Sequence, residues 1–190
     1  GFRSVPPLQS AALLRLFSLS IYGVLLVPKG IAENERRPVV VCQHGLEGVP
    51  AVVIDRDSEK ARAYHAFAAE LVERGFIVYA PHNPYRGGDA FRVLQRKANP
   101  LGLSLFSYII GQHQQTLDWL KAQPFVDPER IAFYGLSYGG KTAMRVPAVV
   151  TDYCLSVCSG DFNDRTQKLT ADWTPTSYFV VPSEDMYNWN

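Results

Sequence analysis

At 190 residues the chain is long enough for one sizeable hydrophobic core and too short for two typical domains. Hydrophobic residues make up 47% and charged residues 19%, proportions that exclude a disordered or fibrous chain. The net charge of +1 gives no electrostatic footprint for nucleic acid or an anionic membrane surface, so neither is an expected partner.

The opening residues carry no basic, apolar and small-residue series of a signal peptide. The apolar stretch from Ala11 to Pro28 is broken by Arg15, Ser18, Ser20, Tyr22 and Gly23, and is too short and mixed for a membrane span. Leu16 to Ile21 alternates, which predicts a half-buried strand at Phe17–Ile21, with a second at Val24–Val27. Pro38 to Cys42 is continuously apolar, the pattern of a parallel strand buried on both faces, and it runs into Gln43-His44-Gly45-Leu46-Glu47-Gly48. Tyr64, Phe67, Ala68, Leu71 and Val72 recur at helical spacing and predict a helix over Ser58–Arg74, capped by Asp57 or Ser58 and stopped by Gly75. Phe76–Ala80 reads as the next strand, followed by a turn-rich loop from Pro81 to Asp89.

A long helix is expected over Ser104–Ala122, with Phe106, Ile109, Ile110, His113, Leu117 and Leu120 on its buried stripe. Asp127-Pro128-Glu129 makes a turn into the strand that ends at Gly135-Leu136-Ser137-Tyr138-Gly139. A helix follows, kinked or ended by Pro147, and Tyr153–Val157 is another apolar strand. Strands and helices that alternate in this way predict a single α/β domain over residues 1–190, with a mostly parallel sheet and helices on both faces.

Gly135-Leu136-Ser137-Tyr138-Gly139 carries the chemistry. A serine on a sharp strand-to-helix turn is exposed above the sheet, and the crowded turn needs small residues two before and two after it. Ser137 is therefore the candidate nucleophile. The Tyr138 amide, at the start of the next helix, and the Leu46 amide, in the loop after the buried strand, are the candidate oxyanion donors. His44 reads as a brace of that loop, Glu47 as a solvated or loop-bracing charge, and His113 as a satisfied core histidine. His65 is expected at or near the surface and His82 in a loop-fixing role. Tyr85, Trp173, Tyr187 and Trp189 read as packing aromatics, with stacking on a sugar or aryl group as the alternative. Cys42, Cys154 and Cys158 lie in apolar runs and are expected to be buried small hydrophobes. None has metal-ligand spacing, so no metal site or cofactor is expected.

The order strand, His-Gly loop, helix, strand, helix, Gly-x-Ser-x-Gly, helix, strand resembles the α/β-hydrolase superfamily. Within it, Val126-Asp127-Pro128-Glu129-Arg130-Ile131, Pro28-Lys29-Gly30, the Cys42 to Gly48 segment and Ser159-Gly160-Asp161-Phe162 are similar to the dienelactone-hydrolase-like and acetyl xylan esterase-like branch. The resemblance covers about Val24 to Asp161. Dienelactone hydrolases place a cysteine where this chain has Ser137, and prolyl oligopeptidase relatives share the Ser-Tyr-Gly-Gly elbow.

The resemblance implies a triad in the order Ser, Asp or Glu, then His. No histidine follows His113. Asp185 and Asp161 are candidate acids, with Asp164 and Glu184 nearby. The expectation is that the chain stops after a sixth strand and before the acid and base, as the N-terminal portion of a hydrolase. A serine without one triad member retains only about 10³–10⁴-fold over water, so this portion alone is expected to be nearly inactive. The implied function is a serine-dependent hydrolase of carboxylic esters, acetylated carbohydrate included, acting through an acyl-enzyme on a small-molecule or carbohydrate ester without a cofactor. An oligopeptidase and a catalytically incomplete binding module are the alternatives. The sequence sets no oligomeric state.

Overall fold

The computed structural model of the protein describes residues 20–57, 62–88, 90–160 and 162. The continuous apolar run forms β2 (Arg37–Gln43), buried from Val39 to Gln43. It lies between β3 (Ile77–Pro81) and β4 (Val126–Leu136) and pairs with both in parallel. β1 (Gly23–Leu26) joins β3 antiparallel and β5 (Leu155–Ser159) joins β4 in parallel, so the order is β1-β3-β2-β4-β5. The four parallel strands therefore end on one edge, at Gln43, Pro81, Leu136 and Ser159. Of the first expected strand, Phe17 to Leu19 lie outside the described residues, and Ser20 and Ile21 are not in a strand.

Successive side chains of a strand point to opposite faces. Val39, Val41, Ile77, Tyr79, Ile131 and Phe133 pack on one face against Leu105, Ile109, Leu117 and Leu120 of α3 (Leu105–Lys121) and Phe91 of α2 (Ala90–Ala98). Val40, Cys42, Val78 and Ala80 pack on the other against Ala68 and Val72 of α1 (Phe67–Glu73) and against Val52 and Val53 of a 3-10 turn. Each buried Val, Leu, Ile or Phe among them contributes about 1.5–3 kcal/mol, and a one-residue slip would exchange the two faces, so the register is strongly fixed. Among the described residues no helix is long and apolar enough to cross a membrane.

The caps follow the sequence. Ser104 opens α3 in a capping box with Ser107, whose hydroxyl accepts the Ser104 amide at 3.1 Å. Gly75, at φ 92°, ends α1, with the Gly75 amide on the Val72 carbonyl and the Phe76 amide on the Leu71 carbonyl. That is the Schellman pattern, which requires a left-handed residue here. Pro147 sits in a 3-10 turn that ends the helix after Ser137, as expected.

Four elements depart from expectation. The helix predicted over Ser58–Arg74 is regular only from Phe67, because His65 and Ala66 take left-handed φ values of 50° and 46°. Helical spacing could not register that break, since Tyr64 and Phe67, which flank it, keep a helical interval in the sequence. A further helix, α2, follows the Pro81 to Asp89 loop and buries Phe91, Gln95 and Ala98. The Asp127-Pro128-Glu129 turn is an irregularity inside β4, where pairing jumps from Arg37–Val126 to Val39–Ile131 and Asp127 Oδ1 accepts the Glu129 amide. The last strand starts two residues later than predicted, at Leu155. Cys154, just before it, is exposed rather than buried, whereas Cys42 is buried and Cys158 half-buried.

Candidate active site

Ser137 stands between β4 and α4 (Tyr138–Arg145), at φ 60° and ψ −120°. A non-glycine residue in this region stores about 1–3 kcal/mol of strain and persists only where its surroundings fix it. Here the Ser137 amide donates to the Ser159 carbonyl at 2.8 Å, and the Ser137 carbonyl accepts the Lys141 amide at 2.9 Å. The glycines either side are sterically required. A Cβ on Gly135 would collide with the Gly139 carbonyl, and one on Gly139 with the Gln43 carbonyl at the end of β2. The bend thus packs directly on the edge where β2 ends.

The loop after β2 reaches the serine. A Cβ on Gly45 would lie 3.0 Å from Ser137 Cβ. The Gly45 amide is committed, donating to the Tyr64 hydroxyl at 2.8 Å. The next amide, Leu46, has no acceptor among the described residues. Tyr138 opens α4, so its amide is one of the first-turn donors directed out of the helix. The Tyr138 ring is itself buried against Tyr85, with centroids 4.4 Å apart.

Glu47 holds this loop to the next one. Its carboxylate oxygens accept the Gly87 and Gly88 amides at 2.7 Å each, and its own amide donates to the Tyr85 carbonyl at 3.1 Å. Glu47 therefore braces the loop. Tyr85, fully buried, donates to the His44 carbonyl at 2.7 Å and accepts from Gln43 Nε2 at 2.6 Å. It is a packing and hydrogen-bonding residue with no face open for stacking.

The four histidines have separate fates. His44 is buried, and its Nδ1 lies 2.8 Å from the Gly45 carbonyl, so Nδ1 carries the proton there. Burial pushes its pKa down to about 4. His113 is buried on α3, with Nδ1 2.7 Å from the Tyr153 hydroxyl and Nε2 2.8 Å from Gln43 Oε1, so both ring nitrogens are engaged within the core. Its pKa is pushed down to about 3, again by burial. His82 follows β3, where its amide donates to the Tyr22 carbonyl at 2.8 Å and its ring meets Tyr22 edge-on. Burial, then the Arg86 charge, lowers its pKa. His65 is exposed in the turn before α1. Among the described residues no group of histidine, cysteine and carboxylate side chains could hold a metal ion.

A family model described as the Abhydrolase family matches residues 16–176, most of the chain. The chain belongs to the α/β-hydrolase superfamily. Solved structures show the same fold. A Bacteroides fragilis NCTC 9343 protein described as an acetyl xylan esterase aligns at 21% identity with a TM-score of 0.61 over 80% of this chain and 46% of its own. Est1E from Butyrivibrio proteoclasticus aligns at 19% identity with a TM-score of 0.50 over 79% of this chain and 47% of its own. This α/β-hydrolase chain thus spans about half the length of the structures it matches.

Asp161, Asp164, Glu184 and Asp185 lie outside the described residues, as do Trp173, Tyr187 and Trp189. Sequence reasoning missed two features of the site. Tyr64 reads as a buried helix position, yet it stands in the turn before α1 with its hydroxyl on Gly45. Gln43 reads as the end of a strand, yet its amide joins His113 to Tyr85. A polar residue at the close of an otherwise apolar buried strand is the signal that marks Gln43.

Proposed function

We propose that the chain is the N-terminal portion of a serine-dependent hydrolase of carboxylic esters, acetylated carbohydrate among them. It is nearest in motif to the acetyl xylan esterase-like and dienelactone-hydrolase-like branch. The reading rests on one observation: Ser137 is held in a strained positive-φ turn at the head of α4, against the glycine whose neighbour, Leu46, has an amide without an acceptor among the described residues. Ser137 Oγ attacks the ester carbonyl and its proton passes to a base. The carbonyl oxygen becomes an oxyanion facing the Tyr138 and Leu46 amides. The alcohol then leaves, and water releases the acyl group from Ser137.

The base belongs to the same proposal. His113 is engaged at both ring nitrogens, His44 is buried with Nδ1 on the Gly45 carbonyl, His82 is held against Tyr22, and His65 is exposed in the turn before α1. The chain spans about half the length of the structures it matches, so a histidine base is proposed to come from outside these 190 residues. Its orienting acid is Asp185, Asp161 or a residue likewise outside them. The mechanism needs no metal or organic cofactor.

The test uses the full-length natural protein and a fluorophosphonate probe. Ser137 should label, Ser137→Ala should not, and aryl acetates should turn over in preference to peptide amides. Equal labelling of Ser137→Ala would remove the nucleophile, and preferential turnover of peptide amides would favour an oligopeptidase.

A further inference from the structure

The geometry points to Tyr64 as a third hydrogen-bond donor to the oxyanion, an inference that rests on the hydrolase reading of Ser137. The Tyr64 hydroxyl and Ser137 Cβ lie 2.9 and 3.0 Å from the point where a Cβ on Gly45 would sit, so they are at most about 5.9 Å apart. When Ser137 Oγ bonds the substrate carbonyl carbon, the carbonyl oxygen that becomes the oxyanion is within reach of a donor at that distance. The hydroxyl accepts the Gly45 N–H at 2.8 Å, which occupies a lone pair and leaves its proton for another acceptor. The amide immediately after Gly45 is Leu46, so the phenol is bonded to the residue that precedes the proposed oxyanion donor.

The local backbone gives independent support. Tyr64 is followed by two consecutive non-glycine residues in the left-handed region, His65 and Ala66, before α1 starts. Such residues are strained and cluster at active sites, ligand clamps and switch regions. A helix continued back through Tyr64 would avoid both. Instead the Phe67 amide closes the turn on the Tyr64 carbonyl at 3.2 Å, and the phenol reaches across to the loop after β2.

In the reaction the phenol keeps its proton throughout. It donates to the substrate carbonyl oxygen more strongly as that oxygen gains charge, while Gly45 N–H polarises the hydroxyl from behind. Tyr64 also holds Gly45 in place, so the test must separate donating from accepting. In the full-length natural protein, Tyr64→Phe should lower kcat about tenfold to a hundredfold with KM little changed. Replacing Tyr64 with 3,5-difluorotyrosine keeps the shape and moves ionisation of the hydroxyl into the assay range. A phenolate accepts from Gly45 better but cannot donate. The fluorinated protein should therefore lose kcat as pH rises through that ionisation, while the unmodified protein does not. An unchanged kcat in Tyr64→Phe, or a fluorinated protein that keeps its kcat through the ionisation, overturns the proposal. Fluorophosphonate labelling of Ser137 in the same samples distinguishes the two levels: labelling with unaffected kcat rejects Tyr64 alone, and no labelling of the unmodified protein rejects the hydrolase reading with it.

Discussion

Tyr85 donates its hydroxyl proton to the His44 carbonyl oxygen at 2.7 Å, and this one bond fixes the direction of a buried chain. Because that proton is used, the Tyr85 oxygen accepts from Gln43 Nε2, which leaves Gln43 Oε1 as an acceptor. His113 Nε2 must then donate to Gln43 Oε1, and His113 Nδ1 must accept from the Tyr153 hydroxyl. The line runs from Tyr153 before β5, through α3 and β2, to the peptide that precedes Gly45. It holds the loop of the proposed oxyanion donor from behind.

Tyr85→Phe cuts that line beside the loop. It strands the His44 carbonyl and Gln43 Nε2 in a buried site, each with a desolvation cost of about 1–3 kcal/mol. The expected outcome is a stability loss of about 2 kcal/mol by urea unfolding, together with a fall in kcat/KM as the Leu46 amide shifts. Tyr153→Phe removes the far end, so it should cost similar stability with kcat/KM nearly intact. Equal losses of activity in the two variants would show that the chain does not position the loop.

The histidines set an acid limit. Burial holds His113 down to about 3 and His44 down to about 4 in the folded state, against about 6.5 unfolded. Between these values the unfolded chain binds protons that the folded chain refuses, so stability rises with pH across the window and is complete above about 6.5. Each histidine contributes a slope of about 1.4 kcal/mol per pH unit there. Urea midpoints measured at pH 7 and pH 5 should therefore fall steeply with acid. His113→Gln, though less stable throughout, should lose one proton from that slope; an unchanged slope would mean that His113 titrates normally.

The sheet was legible because burial on both faces writes itself as an unbroken apolar run. Val39 to Cys42 and Ile77 to Ala80 are of this kind, and parallel pairing of the two followed from the helix between them. The serine bend was legible because two glycines are forced by backbone contact rather than by preference. Tyr64 was hidden for the opposite reason: left-handed φ at His65 and Ala66 contradicts local propensity, and the contact of its hydroxyl with Gly45 is tertiary, 19 residues away in the sequence. α2 escaped notice because its buried side, Phe91, Gln95 and Ala98, includes a polar member. The exposure of Cys154 was hidden because an apolar sequence at a strand's start says nothing of what covers it.

The two glycines of the bend give a test of steric need. Gly135→Ala would place its methyl group inside the Gly139 carbonyl, a backbone atom that cannot rotate away. Overpacking of this kind costs about 1–3 kcal/mol or more, and here it acts on the turn that carries Ser137. Loss of soluble protein, or a large drop in Tm with loss of fluorophosphonate labelling, is the expected result. Gly88→Ala is the control: nothing lies within 4 Å of the new methyl group, and only its φ of 59° resists, so about 1 kcal/mol is expected with labelling retained.

Glu47 joins two loops that no strand pairing connects, through the Gly87 and Gly88 amides at 2.7 Å. Both bonds are charge-assisted and both use the same carboxylate, one oxygen each. Glu47→Gln keeps the size but replaces one oxygen with an NH₂ group, which must face an amide N–H. One bond is then lost and a donor opposes a donor. Because Glu47 follows Leu46 and its own φ is 60°, release of its side chain should let the Leu46 amide wander before global stability suffers. Expected are a kcat loss of about tenfold in the full-length natural protein and a stability change near 1 kcal/mol. Hydrogen exchange at the Gly87 and Gly88 amides should quicken in the variant. If those amides stay protected and kcat is unchanged, Glu47 is only a surface charge and the loop is held by Tyr85 alone.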